Sequence, residues 1–563
     1  MRHVRDHRRL FLASAAIAAV ESIVVVALLP GGAAAITPQV VAPAPLGVYH
    51  DLRWLLVYHP SWLVLVVGLA ALVAFRAALD TWLVRCAWPR DVPSPDRREH
   101  LRRAARFTLI QIAVLGLFAV LTFAMAVTSL SWLFFVATPV VLMVAVLVHH
   151  GEVLPTWWRD RPSRVSVTSI ALAFAMITAT GAVISAVPDI VVPVVAAAGG
   201  LAVAWCRLRA VQDLAPRAVA PPPVEPAARR RPFAVIGLAV VLAIVVGGTA
   251  IGFAAAVAIE SGRTPPPRAS GAANRSPVLV VKGFNSKWDG ITYRWVRGDH
   301  VIRRFSYRGL DARGRPLVYG RGDTHRGLVV LAREMRRQVD ALRAATGEDV
   351  SIVAESEGAL VAQVYLAAFP RAPVEAVVLL SPLAEPGRVY YPPPGEEGWG
   401  VGAGVIERAV ADFIGALGPV DVSADSALFR TIVDLGPTVG ALLACPPPGV
   451  RGYAVLPIDE GVAAAAPVDI GYDHQTVGAF HGGLLGDATT AAAITAVLDG
   501  EEPDDGSVLW AAVGDAITAF ASTWQAPSLA PGLEPAWDGL PGADDCAGVR
   551  RELRTRIRRT GTG

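Results

Sequence analysis

The sequence predicts two architectures in series. Residues 1–260 form an all-α transmembrane bundle of about seven spans, and residues 278–500 an α/β domain, a mostly parallel sheet with helices on both faces. Three observations predict this. First, 53% of the 563 residues are hydrophobic and the mean hydropathy is +0.46, too apolar for a soluble chain of this length. The excess lies before about residue 260. Second, the texture changes at Pro277, where short β-type apolar runs begin to alternate with stretches of helical period. Third, Val350 to Ala362 reads as a strand, a sharp turn and a helix, with Ser356 at the corner.

The predicted spans run roughly over Leu10–Leu29, Ser61–Val84, Phe107–Val127, Ser131–Val148, Val167–Val187, Ile190–Trp205 and Phe233–Ile259. The first is too long for a signal-peptide core and is followed by further spans, so it reads as an anchored helix. Arginine orients them. Arg2, Arg5, Arg8 and Arg9 precede the first span; Arg85 to Arg106, Arg159 to Arg164 and Arg207 to Arg231 occupy alternate loops, and Arg53 is the exception in the others. This places the N-terminus in the cytoplasm and, with seven spans, everything after Ile259 outside. The sixth span is short and rich in Gly and Ala. Dropping it would put the Arg229 cluster on the wrong side, so it is retained.

Few ionisable residues fall within the spans: Glu21 in the first, Arg76 and Asp80 in the second. Arg76 and Asp80 are four residues apart and can pair on a helix, unless the span ends near Phe75. This scarcity argues against a carrier. The net charge is +3, nearly all of the basic residues are arginine, and Lys282 and Lys287 are the lysines. Much of the arginine sits in cytoplasmic loops, which speaks for orientation and anionic lipid, and against nucleic acid as partner. The Ala-, Arg- and Pro-rich composition is that of a high-GC bacterial genome. Cys86 and Cys206 read as free thiols, and Cys445 and Cys546, in an oxidising outer location, as a disulfide. No metal-ligand spacing is present, and no cofactor is expected. Residues 216–232 and 261–277 are Pro-rich linkers.

In the second half, Val278–Val281 is a buried-strand run ending in Gly283-Phe284-Asn285-Ser286, and Val301–Tyr307 is the next strand. Leu331, Met335, Val339 and Leu342 recur at helical spacing over Leu328–Ala345. The corner strand, Val374–Leu380, Tyr453–Ile458 and a helix over Ala488–Leu498 follow. Sites in such sheets form at the carboxyl ends of strands. At the corner, Ala354-Glu355-Ser356-Glu357-Gly358 is small-x-Ser-x-Gly, the small residues suiting a tight, strained turn that lifts a serine off the sheet.

This order of strand, Gly-Phe-Asn-Ser, second strand through Phe305-Ser-Tyr-Arg-Gly, helix and serine corner resembles the lipase/esterase branch of the α/β-hydrolase superfamily, over about residues 277–500. The resemblance implies a nucleophile, acid, histidine order. Ser356 is then the nucleophile, Asp459 at the end of its strand the acid, and His481 in Ala-Phe-His-Gly-Gly before the last helix the base. Serine needs the imidazole to take its proton, and a carboxylate to hold the imidazole's tautomer. His474 beside Asp473, read as a surface loop pair, competes for the base; Glu460 and Asp469 compete for the acid. The oxyanion donors implied are the backbone N–H groups of Glu357 and Phe284, although Lys282-Gly283 stands where the family often has His-Gly. Glu355 and Glu357 would oppose an oxyanion unless they point away and pair with arginines.

Residues 383–445 read as a cap insertion, with a helix over Val405–Leu417 and with Trp399 and Phe413 either lining an acyl pocket or packing the cap. Residues 501–563 read as a helix around Val508–Phe520 and a solvated, arginine-rich tail. The expectation is a membrane-anchored serine ester hydrolase facing away from the cytoplasm, with the bilayer and an ester or lipid as its partners. An acyltransferase with the same triad, a non-catalytic binding module and a transporter with an accessory domain are the alternatives.

Overall fold

The computed structural model describes residues 7–28, 33–124, 146–154, 162–219, 276–291, 300–383, 395, 398–417, 425–458, 470–504, 506–524 and 537–560. The N-terminal region contains α1 (Arg8–Leu28), α2 (Leu46–Val57), α3 (Trp62–Ala87), α4 (Arg97–Ala124), α5 (Arg164–Ala186) and α6 (Val192–Val219). Among the described residues four helices, α1, α3, α5 and α6, are long and apolar enough to cross a membrane, rather than seven. They carry the first, second, fifth and sixth predicted spans. The third begins in α4. The fourth, apart from its last three residues, and the seventh lie outside the described residues.

These helices are apolar outward and polar inward. Leu12, Val20, Leu28, Leu63, Val66, Val67 and Val194 are exposed, while Ser14, Ser22, Arg76, Asp80, Thr178 and Arg207 are buried. Water reverses that order; a hydrocarbon surround favours it.

The charged residues of these helices pack as follows. α3 runs on past Phe75 to Ala87. Arg76 and Asp80 do not pair with each other: Arg76 holds Asp51 of α2, and Asp80 is 3.2 Å from Arg207 of α6. α6 accordingly passes through Arg207, which the sequence placed in a loop. Nη2 of that guanidinium donates to the Asp80 carboxylate and to the carbonyls of Val41 and Ala42 inside the bundle. Arg53, expected in an outer loop, is fully buried on α2 and donates to the Thr523 carbonyl at 2.9 Å and to Gln39 Oε1 at 2.6 Å.

The second half holds β1 (Pro277–Val281), β2 (Val301–Arg304), α7 (Leu328–Thr346), β3 (Val350–Glu355), α8 (Glu357–Ala368), β4 (Val374–Leu380), α9 (Val401–Leu417), α10 (Ala427–Asp434), α11 (Gly436–Gly440), β5 (Arg451–Pro457), β6 (Asp473–Val477), α12 (Ala488–Asp499), α13 (Val508–Trp524) and α14 (Cys546–Arg559). The sheet is six-stranded and parallel throughout, in the order β2-β1-β3-β4-β5-β6. Its side chains alternate between faces as a pleat requires. Leu279, Val281, Ile352, Ala354, Val377 and Leu379 join a core with α7, α8 and α14. Val278, Val280, Val353, Val378 and Leu380 face α12. The predicted surface pair Asp473-His474 is instead the start of edge strand β6, whose exposed residues hid its strand character.

The segment expected to form a cap meets the N-terminal helices. His59, between α2 and α3, accepts from Gly400 N–H through its carbonyl and from Gly402 N–H through Nε2, both at 2.8 Å. Trp399 packs with the cluster of the N-terminal helices, and the Phe413 side chain lies outside the described residues. The C-terminal arginine-rich segment is no solvated tail. It is α14, with Val549, Leu553 and Ile557 buried against the α/β core and Cys546 bonded to Cys445.

That bond joins positions 101 residues apart, and a disulfide of this span constrains the unfolded chain by about 2–4 kcal/mol. Reduction should therefore lower the thermal midpoint and expose α14 to protease. An unchanged midpoint and cleavage pattern would show that the bond contributes nothing.

Candidate active site

The chain enters the sheet at β1, steps outward to β2, then crosses back over β1 to β3. Winding reverses between β1 and β3, and the crevice at their carboxyl ends is where α/β sheets accept ligands. Ser356 ends β3 at that crevice. Its φ of 56° and ψ of −122° lie in a region that a non-glycine residue rarely occupies, at a cost of about 1–3 kcal/mol. The turn is held by Ser356 N–H donating to the Leu380 carbonyl and by the start of α8.

Two glycines make the turn possible. A Cβ on Gly283 would stand 2.8 Å from Ser356 Cβ, and one on Gly358 would stand 2.8 Å from the Val281 carbonyl oxygen. The loop after β1 thus passes directly against the serine, and α8 presses on β1 without a side chain between them.

His481 follows β6 in the loop before α12, and its Nε2 lies 2.9 Å from Ser356 Oγ. Residues 125 positions apart are brought together by the parallel order of β3, β4, β5 and β6. In the Nδ1–H tautomer the hydroxyl donates to Nε2, the geometry a general base requires. His474 sits on β6, with Nδ1 3.1 Å from the Tyr472 carbonyl, and shows no bond to Ser356. Asp459, Glu460 and Asp469 lie outside the described residues. The residue before Asp459 is described: Ile458 N–H donates to the Ala479 carbonyl, two positions before His481. β5 therefore delivers the chain beside the histidine loop.

Glu357 opens α8, where the first N–H groups have no partner within the helix. Phe284 lies in a turn closed by Ser286 N–H donating to the Gly283 carbonyl, with Asn285 at φ 57°. Neither the Phe284 nor the Glu357 backbone N–H takes part in a hydrogen bond among the described residues. The Phe284 ring stacks on His325 at 4.6 Å, and His325 Nε2 is 2.7 Å from Asn285 Oδ1. His325 thus braces the loop from both sides. No local pattern signals this brace, because the two segments are forty residues apart.

Glu355 bonds Lys282 across the β1–β3 crevice, Oε2 to Nζ at 2.6 Å. Glu357 is 2% exposed and neither carboxyl oxygen has a partner among the described residues. Burial raises its carboxyl well above the usual glutamate range, which favours the protonated form beside the serine.

No family model matches the chain, and no curated protein matches it. Among solved structures, the crystal structure of Aspergillus fumigatus lipase B is similar over 76% of this chain and 94% of that one, at 12% identity and a TM-score of 0.27. So loose a likeness adds nothing to the sheet order and corner geometry above.

Two outcomes follow from this geometry. Gly283→Ala forces a methyl into the serine, so Ser356 reactivity should fall by at least an order of magnitude while the fold persists; wild-type reactivity would contradict the close approach. For Glu357, the unfolded chain ionises in the ordinary range while the folded chain does not, so stability falls as pH rises above that range. The thermal midpoint of Glu357→Gln relative to wild type should therefore grow from acidic to alkaline pH. A difference independent of pH would mean that the carboxyl is not held neutral.

Proposed function

We propose that this chain is a serine hydrolase of the α/β-hydrolase type, anchored by several bilayer-crossing helices, that cleaves carboxylic esters derived from lipid or the cell envelope. The observation that carries the reading is the 2.9 Å approach of His481 Nε2 to a serine hydroxyl at a strained strand-to-helix corner. Few structural demands other than nucleophilic catalysis put those two groups there. Ser356 Oγ attacks the ester carbonyl as His481 takes its proton. The Phe284 and Glu357 N–H groups receive the developing oxyanion, and Asp459, next after the described end of the β5 strand, holds the imidazole. The imidazolium then protonates the departing alcohol, and the acyl-serine passes to water by the reverse sequence.

α13 supports the choice of substrate class. Its N-terminal half exposes Val508, Leu509 and Trp510, with Phe520 further along. Its C-terminal end is buried among the N-terminal helices: Tyr49 Oη donates to the Trp524 carbonyl at 3.1 Å, and Trp524 Nε1 donates to Thr178 Oγ1 at 2.9 Å. Trp510 also lies against Gly478, three residues before His481. One apolar helix therefore links the bilayer-crossing region to the histidine loop, which suits an acyl substrate drawn from the membrane. The arginine distribution and the Cys445–Cys546 bond favour a cell membrane with the N-terminus in the cytoplasm and the hydrolase domain outside.

The test is ester turnover by the full chain in vesicles, with a series of acyl lengths. Ser356→Ala and His481→Ala should each lower kcat by at least about 10³-fold with the fold intact. Adding a lipid alcohol and following the acyl group separates transfer to water from transfer to an acceptor. Turnover unaffected by either substitution would reject the reading.

A further inference from the structure

The N-terminal helices bury a ladder of ionisable groups that ester cleavage does not use. Near the ends where α1 stops and α3 starts, His50 of α2 touches Glu21 of α1 (Nε2 to Oε1, 2.9 Å) and its neighbour Asp51 (Nδ1 to Oδ1, 2.8 Å). Arg53 lies within electrostatic range of both carboxylates. Asp51 is held by Arg76 of α3, with Nη2 2.6 Å from Oδ1. One turn on, Asp80 meets Arg207. Beyond them Gln111 of α4 donates to Glu152 Oε1 at 3.4 Å, and His149 Nδ1 is 4.0 Å from Glu152 Oε2. Asp80 and Arg207 both act electrostatically on Glu152.

The ladder is deep. Glu21 is seven residues, about 10 Å, from the end of α1, and Asp80 is eighteen residues, about 27 Å, from the start of α3, at ~1.5 Å per residue. Both positions fall inside a hydrocarbon core of about 30 Å. Irregular backbone lies at the same depth. The carbonyls of Val40, Val41 and Ala42 accept from Arg76 and Arg207. Non-helical backbone at membrane depth is tolerated where it is packed in protein or lines a wet passage.

The far cluster holds more polar atoms than it can satisfy. Asp80 Oδ2, Glu152 Oε2, Gln111 Oε1, both ring nitrogens of His149, and Arg207 Nε and Nη1 have no hydrogen-bond partner among the described residues. His149 is fully buried and Arg207 is 1% exposed. A structural ion pair requires one acid for one base. Among the described residues two carboxyls and an imidazole lie around Arg207, Arg76 acts on both carboxyls but is engaged by Asp51, and unpartnered buried polar atoms call for water. One negative charge is in excess, and one proton balances it.

We propose that the membrane region is a proton relay. One proton is shared by Glu152, His149 and Asp80, and it moves through enclosed water to Asp51, His50 and Glu21. In each step an O–H or N–H bond breaks at the donor as one forms at the next acceptor. Arg76 and Arg207 serve as fixed counter-charges. The relay rests on the bilayer placement proposed above and is independent of Ser356.

The test uses the full chain in proteoliposomes loaded with a pH-sensitive dye, with a potential imposed by potassium and valinomycin. Flotation after an alkaline wash checks the placement separately, and rates are normalised to floated protein. Wild type should move protons several-fold faster than protein-free vesicles. Glu152→Gln keeps the acceptor for Gln111 but cannot give up a proton, and Asp80→Asn keeps an acceptor for Arg207; each should return the rate to the protein-free level. Floated wild type no faster than protein-free vesicles would overturn the relay, as would floated variants as fast as wild type. Failure to float would overturn the placement and the relay with it.

Discussion

The contact on which the site depends is backbone against side chain: the loop after β1 lies so close to Ser356 that residue 283 has room for no side chain. From this contact the rest follows. It sets the serine at the winding reversal of the sheet, where the first helical N–H groups of α8 and the turn at Phe284 open onto the same space. It leaves one open direction for the hydroxyl, and the edge of the sheet supplies His481 there. A parallel sheet is needed, because only then do β3, β5 and β6 all deliver their carboxyl ends to one side.

The two halves of the chain are joined by buried hydrogen bonds, not merely by a tether. The carbonyl end of α13 is buried among the N-terminal helices, where Arg53 and Gln39 donate to Thr523. An arginine at a helix carboxyl terminus also meets the helix dipole favourably. The cap insertion reaches the same region through His59. Such links make the N-terminal helices a partner in the fold of the α/β domain, and these helices carry their own buried charges.

Much of this was legible in the sequence. The runs at Val278, Val350, Val374 and Tyr453 are buried on both faces, so their apolar continuity announced them. The serine corner was readable because its strain demands small residues at fixed offsets. His481 could be named because chain order limits where a base can arise. β6 was missed because an edge strand of Asp, His, Gln and Thr has no apolar run to show. The Glu355–Lys282 pair, the buried Glu357 and the His325 brace depend on which strands are neighbours, which no local pattern reports. The charged ladder escaped for a related reason. Span counting treats Arg53 and Arg207 as loop markers, yet a guanidinium with carboxylate or carbonyl acceptors can stay within a helix bundle.

The most direct test of the central claim is the site of covalent capture. The full chain is treated with a fluorophosphonate and the adduct located by peptide mass spectrometry. The account predicts one phosphonylated residue, Ser356, with the yield collapsing in His481→Ala while the Cys445–Cys546 bond is retained. No adduct on Ser356, or an equal yield without the imidazole, would contradict it.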